Sequence, residues 1–338
     1  MKMSKLNSTL IKFTLVLSIF LNLFTHSSVA KEIRIGLVVK GLGIGFFEAA
    51  AEGAYEAAKE IGNIKIIYTG PATTTAEAQI EIINSLIAQK VDAIAISAND
   101  RDALVPITKK AMERGIKIIS WDSGIAEEGR IMNLDPSNTA LIGSSNIKWA
   151  YNSIGGKGEI AILSSTSQST NQNAWIEEMK KEFSKPRYSK MKWVDTVYGD
   201  DLFDKSYQEA LGLFKKHPNL RAIIAPTTVG IAASAKAVED KGLIGKVYVT
   251  GLGLPSEMKA YVKSGATKQF GIWNPIDLGY TASYLAYQLV TNKYKGQNGE
   301  CIPAGRMGKI CIGEGNNAAM ADPFIFDITN IDKFAEIF

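Results

Sequence analysis

The chain of 338 residues carries 38 basic and 34 acidic side chains for a formal charge of +4, with 46% hydrophobic residues, two histidines and two cysteines. So small a charge excess disfavours a nucleic-acid partner, and so few histidines and cysteines leave little for a histidine-rich metal site or a serine–histidine relay. The length exceeds a comfortable single hydrophobic core and implies two domains of roughly 150 residues each.

At the N-terminus, Lys2, Lys5 and Lys12 precede an apolar stretch from Phe13 to Phe24 and the small-x-small site Ser28-Val29-Ala30. That order is the pattern of a secretory signal, too short and wrongly flanked for a membrane anchor. Residues 1–30 are therefore expected to be a signal peptide cleaved after Ala30. No cysteine follows the cleavage site, so no lipid anchor is expected and the expected compartment is the periplasm. The leader holds three lysines and no acid, so the charge without it falls to +1. It also holds His26, leaving His217 in "KKHPNL", which reads as a solvated turn residue.

Beyond residue 30, short β-branched runs alternate with helix-length segments. The runs are 33–39, 64–69, 91–97 and 116–121, and the rhythm restarts at 159–164 and continues through 192–199, 221–226, 246–251 and 268–273. Apolar strands spaced by helices mean parallel sheets covered on both faces. Two such series in tandem predict an α/β chain of two Rossmann-like lobes with a cleft between them.

The first strand runs into "VKGLGIGFFEAAAEG", residues 39–53, where Gly41, Gly43 and Gly45 suggest a phosphate loop. A dinucleotide fingerprint needs G-x-G-x-x-G and an acid near the end of the next strand. Here Phe46 breaks the glycine pattern and the second strand ends in Tyr68-Thr69-Gly70, so no nucleotide cofactor is expected. The helix after the loop presents Phe47, Ala51, Ala54, Ala58 and Ile61 on one face and stops at Gly62-Asn63. The loop therefore sits at the carboxyl edge of the sheet, where open α/β domains bind ligands, and brings Lys40, Phe46 and Phe47 there. A phenyl face can stack on the C–H face of a sugar ring. One of the two phenylalanines is expected in the core; which one faces the cleft is left open by the pattern.

Other strand ends add polar groups. "SWDSG" places Asp122 after a strand, where a carboxylate can accept two hydroxyls or simply cap a turn. "SANDRDAL" offers Ser97, Asn99 and Asp100, with Asp100 or Asp102 as helix cap. "STNQNAW" starts a helix with Asn171 and Gln172, with Trp175, Ile176, Met179 and Phe183 as its apolar marks. "APTTVG" contributes Pro226, Thr227 and Thr228, and "IWNPIDLG" ends a strand at Trp273-Asn274 before Pro275. Asp135 in "MNLDPSN" reads either as a residue at a crossing between lobes or as a turn residue before Pro136. Cys301 and Cys311 in "CIPAGRMGKIC" close a short loop; in an oxidising compartment they form a disulfide, the alternative being two separate buried thiols.

The segments "GFFEAAAEGAYEAAKE", "YTGPATTTAEAQIEIINSLIAQKVDAIAISAND", "ISWDSG", "STNQNAW", "VYGDDL", "APTTVG", "YVTGLGLPSEM", "IWNPIDLGY" and "AAMADPF" carry a resemblance over essentially the whole chain after residue 30. The chain resembles the type I periplasmic solute-binding proteins of ABC transporters, and within them the rhamnose-binding branch. The resemblance implies two lobes joined by a multi-strand hinge, a sugar held between them, and delivery to permease subunits in the inner membrane by a monomer without cofactor. It divides the chain into a first lobe of residues 31–134 and 275–305 and a second of 135–274 and 306–338. It implies ligand contacts from Lys40, Phe46, Phe47 and Asp122 on the first lobe, from Asn171, Gln172, Pro226 and Thr228 on the second, and from Asn274 near a hinge crossing.

The autoinducer-2 binding proteins look similar in the same regions. Lys40, Asp122, Gln172 and Pro226 match that branch, but Asn171 stands where it carries an aspartate and Thr228 where it carries an alanine. Losing a carboxylate removes a hydroxyl acceptor, which favours the L-rhamnose reading; autoinducer-2, or another pentose, hexose or polyol, is the alternative. Ribose-type relatives place an aspartate where this chain has Gly253. An enzyme acting on sugars needs paired carboxylates, and Asp122 alone does not make the pair. A repressor of the same fold would begin with a helix-turn-helix where this chain has a leader. The expectation is a binding protein.

Overall fold

The computed structural model describes residues 31–338, so the expected signal peptide and its His26 lie outside the described residues. The chain runs β1 (Ile33–Val38), α1 (Gly45–Ile61), β2 (Ile64–Thr69), α2 (Ala76–Ala88), β3 (Ala93–Ile96), α3 (Val105–Glu113), β4 (Lys117–Trp121) and β5 (Met132–Asp135). It continues through α4 (Thr139–Ile154), β6 (Gly158–Ser164), α5 (Thr170–Phe183), β7 (Met191–Tyr198), α6 (Phe203–Lys216), β8 (Leu220–Ala225), α7 (Thr228–Asp240), β9 (Tyr248–Gly251) and α8 (Pro255–Ser264). The last part holds β10 (Gln269–Ile272), α9 (Pro275–Val290), β11 (Cys301–Pro303), β12 (Lys309–Cys311), β13 (Asn317–Ala319), β14 (Phe324–Asp327) and α10 (Ile331–Phe334). Each of the nine apolar runs is a strand that begins within two residues of the run.

The first sheet has the order β13-β5-β4-β3-β1-β2, with every pair parallel. Alternate side chains on its strands point to opposite faces, and both faces are dry. Ile35, Leu37, Ala93, Ala95 and Ile119 join the core beside α1, whereas Val38, Ile94, Ile96 and Ile118 join a second core under α2 and α3. That two-sided burial is why these strands read as continuous apolar runs. The second sheet is β7-β6-β8-β9, also parallel, and the antiparallel pair β10-β14 lies next to it through a bridge between Leu252 and Gly271.

The chain passes between the sheets three times: from β5 to α4, from β10 to α9, and from β13 to β14. The third crossing corrects the expected division, which gave residues 306–338 wholly to the second lobe. β13 pairs in parallel with β5, so its backbone bonds extend the first sheet and the chain leaves that sheet only after Ala319. The α1 stripe also differs. Ala50, Gly53 and Ala57 are buried together with Phe46, Phe47, Ala51 and Ala54, whereas Ala58 and Ile61 are only half-buried. The cause is α9, which lies so close that a Cβ on Gly53 would stand 1.7 Å from the Ile276 carbonyl oxygen and one on Gly279 1.8 Å from that of Ala50.

Cys301 and Cys311 face each other across the β11-β12 hairpin and form a disulfide. Arg306, between them, pairs with Glu56 and Asp277 and lies over the Tyr280 ring, which clamps the hairpin onto α1 and α9. His217 is not the solvated turn residue expected: its Nε2 lies 2.9 Å from Asp195 and its side chain is 16% exposed.

Candidate ligand-binding cleft

In open parallel sheets the loops that follow the strands gather at one edge, and here the two edges face each other. Lys40 follows β1. Its side chain is buried, and its Nζ crosses to the second lobe, donating to Ser169 Oγ and Asn171 Oδ1, both at 2.8 Å. Asn99 Nδ2 donates to the Lys40 carbonyl at 2.9 Å and holds the loop in place. Gly43 in the same loop takes φ +78°, a conformation that favours glycine, so this glycine shapes a turn.

Asp122 follows β4 and adopts φ 60°, a conformation rare outside glycine and tolerated best by Asp and Asn. Its Oδ2 accepts from Ser97 Oγ at 2.7 Å and its Oδ1 from Asn171 Nδ2 at 3.2 Å. Asn171 therefore joins the lobes twice, accepting from Lys40 and donating to Asp122. Gln172 beside it accepts from Ser164 Oγ and the Ser165 amide, at 2.7 and 2.8 Å, so its amide NH2 is the part left for a ligand.

Phe46 and Phe47 both line the cleft, and both are also packed in the core. Phe46 meets Phe47 and Trp273 edge to face at 5.2 and 6.2 Å, Phe47 meets Trp121 at 5.9 Å, and Trp175 meets Trp273 at 5.8 Å. Such pairs are favourable beyond the area they bury and give the cleft a contiguous aromatic side. Ile44, Leu252, Ile272 and Pro226 extend it.

Of the nine expected contact residues, Lys40, Phe46, Phe47, Asp122, Asn171, Gln172, Pro226 and Thr228 come together around this cleft, and Asn274 does not. Asn274 is the N-cap of α9: its Oδ1 accepts from the Ile276 amide at 2.9 Å and its Nδ2 donates to Asp277 at 3.0 Å. Its neighbour Trp273 lines the cleft instead, with a buried indole Nε1 that has no partner among the described residues. Trp175, expected as a core mark, lies one helical turn from Asn171 and Gln172 on the same face of α5. Asp201, after β7, was missed; the rule of reading polar residues at strand ends, applied to "VYGDDL", would have found it. Among the remaining polar residues, Ser97 and Asn99 support the site from behind, while Asp100 accepts from the Asp102 and Ala103 amides as a turn cap.

Burial pulls the Lys40 ammonium below its ordinary range and pushes the Asp122 and Asp201 carboxyls above theirs, while the attraction of Lys40 for both carboxylates opposes these shifts. Two carboxyls and one lysine thus face one another in the cleft and offer both acceptors and donors to a ligand rich in hydroxyls. The space within is about 50 Å³ for the centre of a water-sized sphere, several times the roughly 10–15 Å³ that holds one water. That admits a small polar molecule. Among the described residues no group of His, Cys, Asp and Glu is placed to hold a metal.

A family described as "Periplasmic binding protein domain" matches residues 35–294. A solved ABC transporter solute-binding protein from Clostridium phytofermentas with bound L-rhamnose is 36% identical, with a TM-score of 0.88 over 91% of this chain and 100% of that one. A sugar ABC transporter structure from Actinomyces odontolyticus is 39% identical, with a TM-score of 0.71 over 89% of this chain and 97% of that one. A D-ribose/D-allose-binding protein of Pseudomonas aeruginosa is 26% identical over 249 residues, 71% of this chain and 76% of that protein.

Proposed function

Since the chain belongs to the periplasmic binding protein domain family, we propose that it is the substrate-binding component of a sugar ABC transporter and that its sugar is L-rhamnose. The observation that carries the reading is the two-sided chemistry of the cleft. Lys40 and Asp122 from the first lobe meet Asn171 and Asp201 from the second, and Phe46, Phe47, Trp175 and Trp273 form the contiguous aromatic side. A 6-deoxyhexose has the matching division, with hydroxyls to bond and a methyl group and C–H face to bury. The L-rhamnose-bound relative at 36% identity supports the same choice.

The mechanism is capture by closure. Sugar meets Lys40 and Asp122 on the first lobe, the three crossing segments bend, and the second lobe completes the contacts through Gln172, Thr228 and their neighbours while water leaves. Only contacts absent from the open form can favour the closed one. The protein is a binder rather than a catalyst; exported through the leader at residues 1–30 and working in the periplasm as a monomer, it hands the sugar to permease subunits.

Titration calorimetry of residues 31–338 against L-rhamnose, ribose, fucose and autoinducer-2 tests the assignment. Rhamnose is expected to bind with a Kd of about 1 μM or tighter, roughly 8 kcal/mol. Tight binding of autoinducer-2 without heat from rhamnose would overturn the sugar while leaving the family in place.

A further inference from the structure

Asp201 lies in Gly199-Asp200-Asp201 after β7, where both aspartates take positive φ, 56° and 53°. Two such residues in succession persist only where their surroundings enforce them. The Gly199 and Asp200 amides donate to the Ser164 and Ser165 carbonyls and tie the turn to the end of β6. Thr227 Oγ1 donates to Asp201 Oδ1 at 2.5 Å and accepts from the Gly230 amide as the N-cap of α7. The carboxylate is thereby held, half-buried, in the lining of the cleft and under the attraction of Lys40 from the other lobe. Among the described residues, no protein group donates to its Oδ2.

Resting on the sugar-binding reading above, we propose that Asp201 is a ligand-contacting, specificity-determining residue, whose Oδ2 accepts a sugar hydroxyl from the second lobe while Asp122 accepts from the first. The two carboxylates stand on different lobes, so both can bond one sugar only when the cleft is closed, and the hydroxyl that reaches Asp201 ties recognition to closure. Each carboxylate accepts, so what the pair selects is a ligand with hydroxyl donors on two sides, as on a polyhydroxylated ring.

The test uses residues 31–338, wild type and Asp201→Asn, titrated with the best-bound sugar of the panel above and with its monodeoxy analogues. Asp201→Asn is expected to bind the sugar about 10- to 100-fold more weakly, the range for losing a charge-assisted hydrogen bond. For the analogue that lacks the hydroxyl in question, the wild type weakens by a similar factor and the variant shows no further loss. A purely structural role would not produce that non-additivity. Equal losses in both proteins for every analogue overturn the proposal. If the variant does not fold, the wild-type sugar complex decides: a sugar oxygen about 2.5–3.0 Å from Oδ2 upholds the contact, and a gap beyond about 3.5 Å overturns it. Failure of the wild type to bind any sugar of the panel sinks the function reading and Asp201 with it, whereas an indifferent variant of a binding wild type sinks Asp201 alone.

Discussion

Asp135 ends β5, where the chain first crosses to the second lobe, and burial pushes its carboxyl from 3.8 up to about 6 against the opposing pull of Asn133 and Arg130, while Asp122 pushes further up. Asn133 Nδ2 donates to its Oδ1 at 2.8 Å, and Arg130 is occupied with the carbonyls of Ile125, Gly315 and Asn316. The folded protein therefore holds this proton more tightly than the unfolded chain between pH 3.8 and about 6, and stability falls as pH rises through that window. Above it the cost of the buried charge is fully present. Asp135→Asn keeps an acceptor for Asn133 and removes the charge, so we expect a higher Tm at pH 7.5, corresponding to at most about 3 kcal/mol. In thermal melts across pH the gain should shrink to nothing below about pH 4. Equal melting temperatures at pH 7.5 would mean that Arg130 already offsets the charge. At this scale the sequence singled out Asp135 correctly but left its role open, because burial is not a property of "MNLDPSN" itself.

Among the elements, α1 and α9 approach closely, the carbonyl of each against a glycine of the other. Gly279→Ala forces the helices apart and is expected to cost about 2–4 kcal/mol, read as a lower urea midpoint. Gly212, in α6, has nothing within 4 Å of an added Cβ. The same change there should stabilise by about 0.4–1 kcal/mol through helix propensity and a less flexible unfolded chain. If both variants melt alike, close packing is not what the glycine at 279 serves. Strands buried on both faces were legible as apolar runs; β5 and β11 to β14 were not, because three or four residues of mixed polarity carry no period. The α1 stripe was read for one partner, the sheet, and a second partner, α9, widened it.

For the whole molecule, the structure is the closed form: Lys40 and Asn171 bond across the lobes, and Thr74 Oγ1 donates to the Asp200 carbonyl at 2.9 Å. With three crossing segments as the pivot, sugar should shift the population toward this form. Small-angle scattering of residues 31–338 is expected to give a radius of gyration near the roughly 19 Å of a compact chain of this length with sugar, and a larger one without. An unchanged value would mean that the empty protein is already closed and that binding selects rather than drives the shape. The sequence by itself determined the α/β class, the restart of the strand rhythm that makes two lobes, and most of the strand ends that carry the cleft, because two-sided burial and strand-end position leave a local pattern. Only the tertiary structure decided that Asn274 caps a helix while Trp273 and Asp201 face the cleft, and that β13 belongs to the first sheet. Those outcomes depend on contacts such as Lys40 to Asn171, 131 residues apart, which no local pattern encodes.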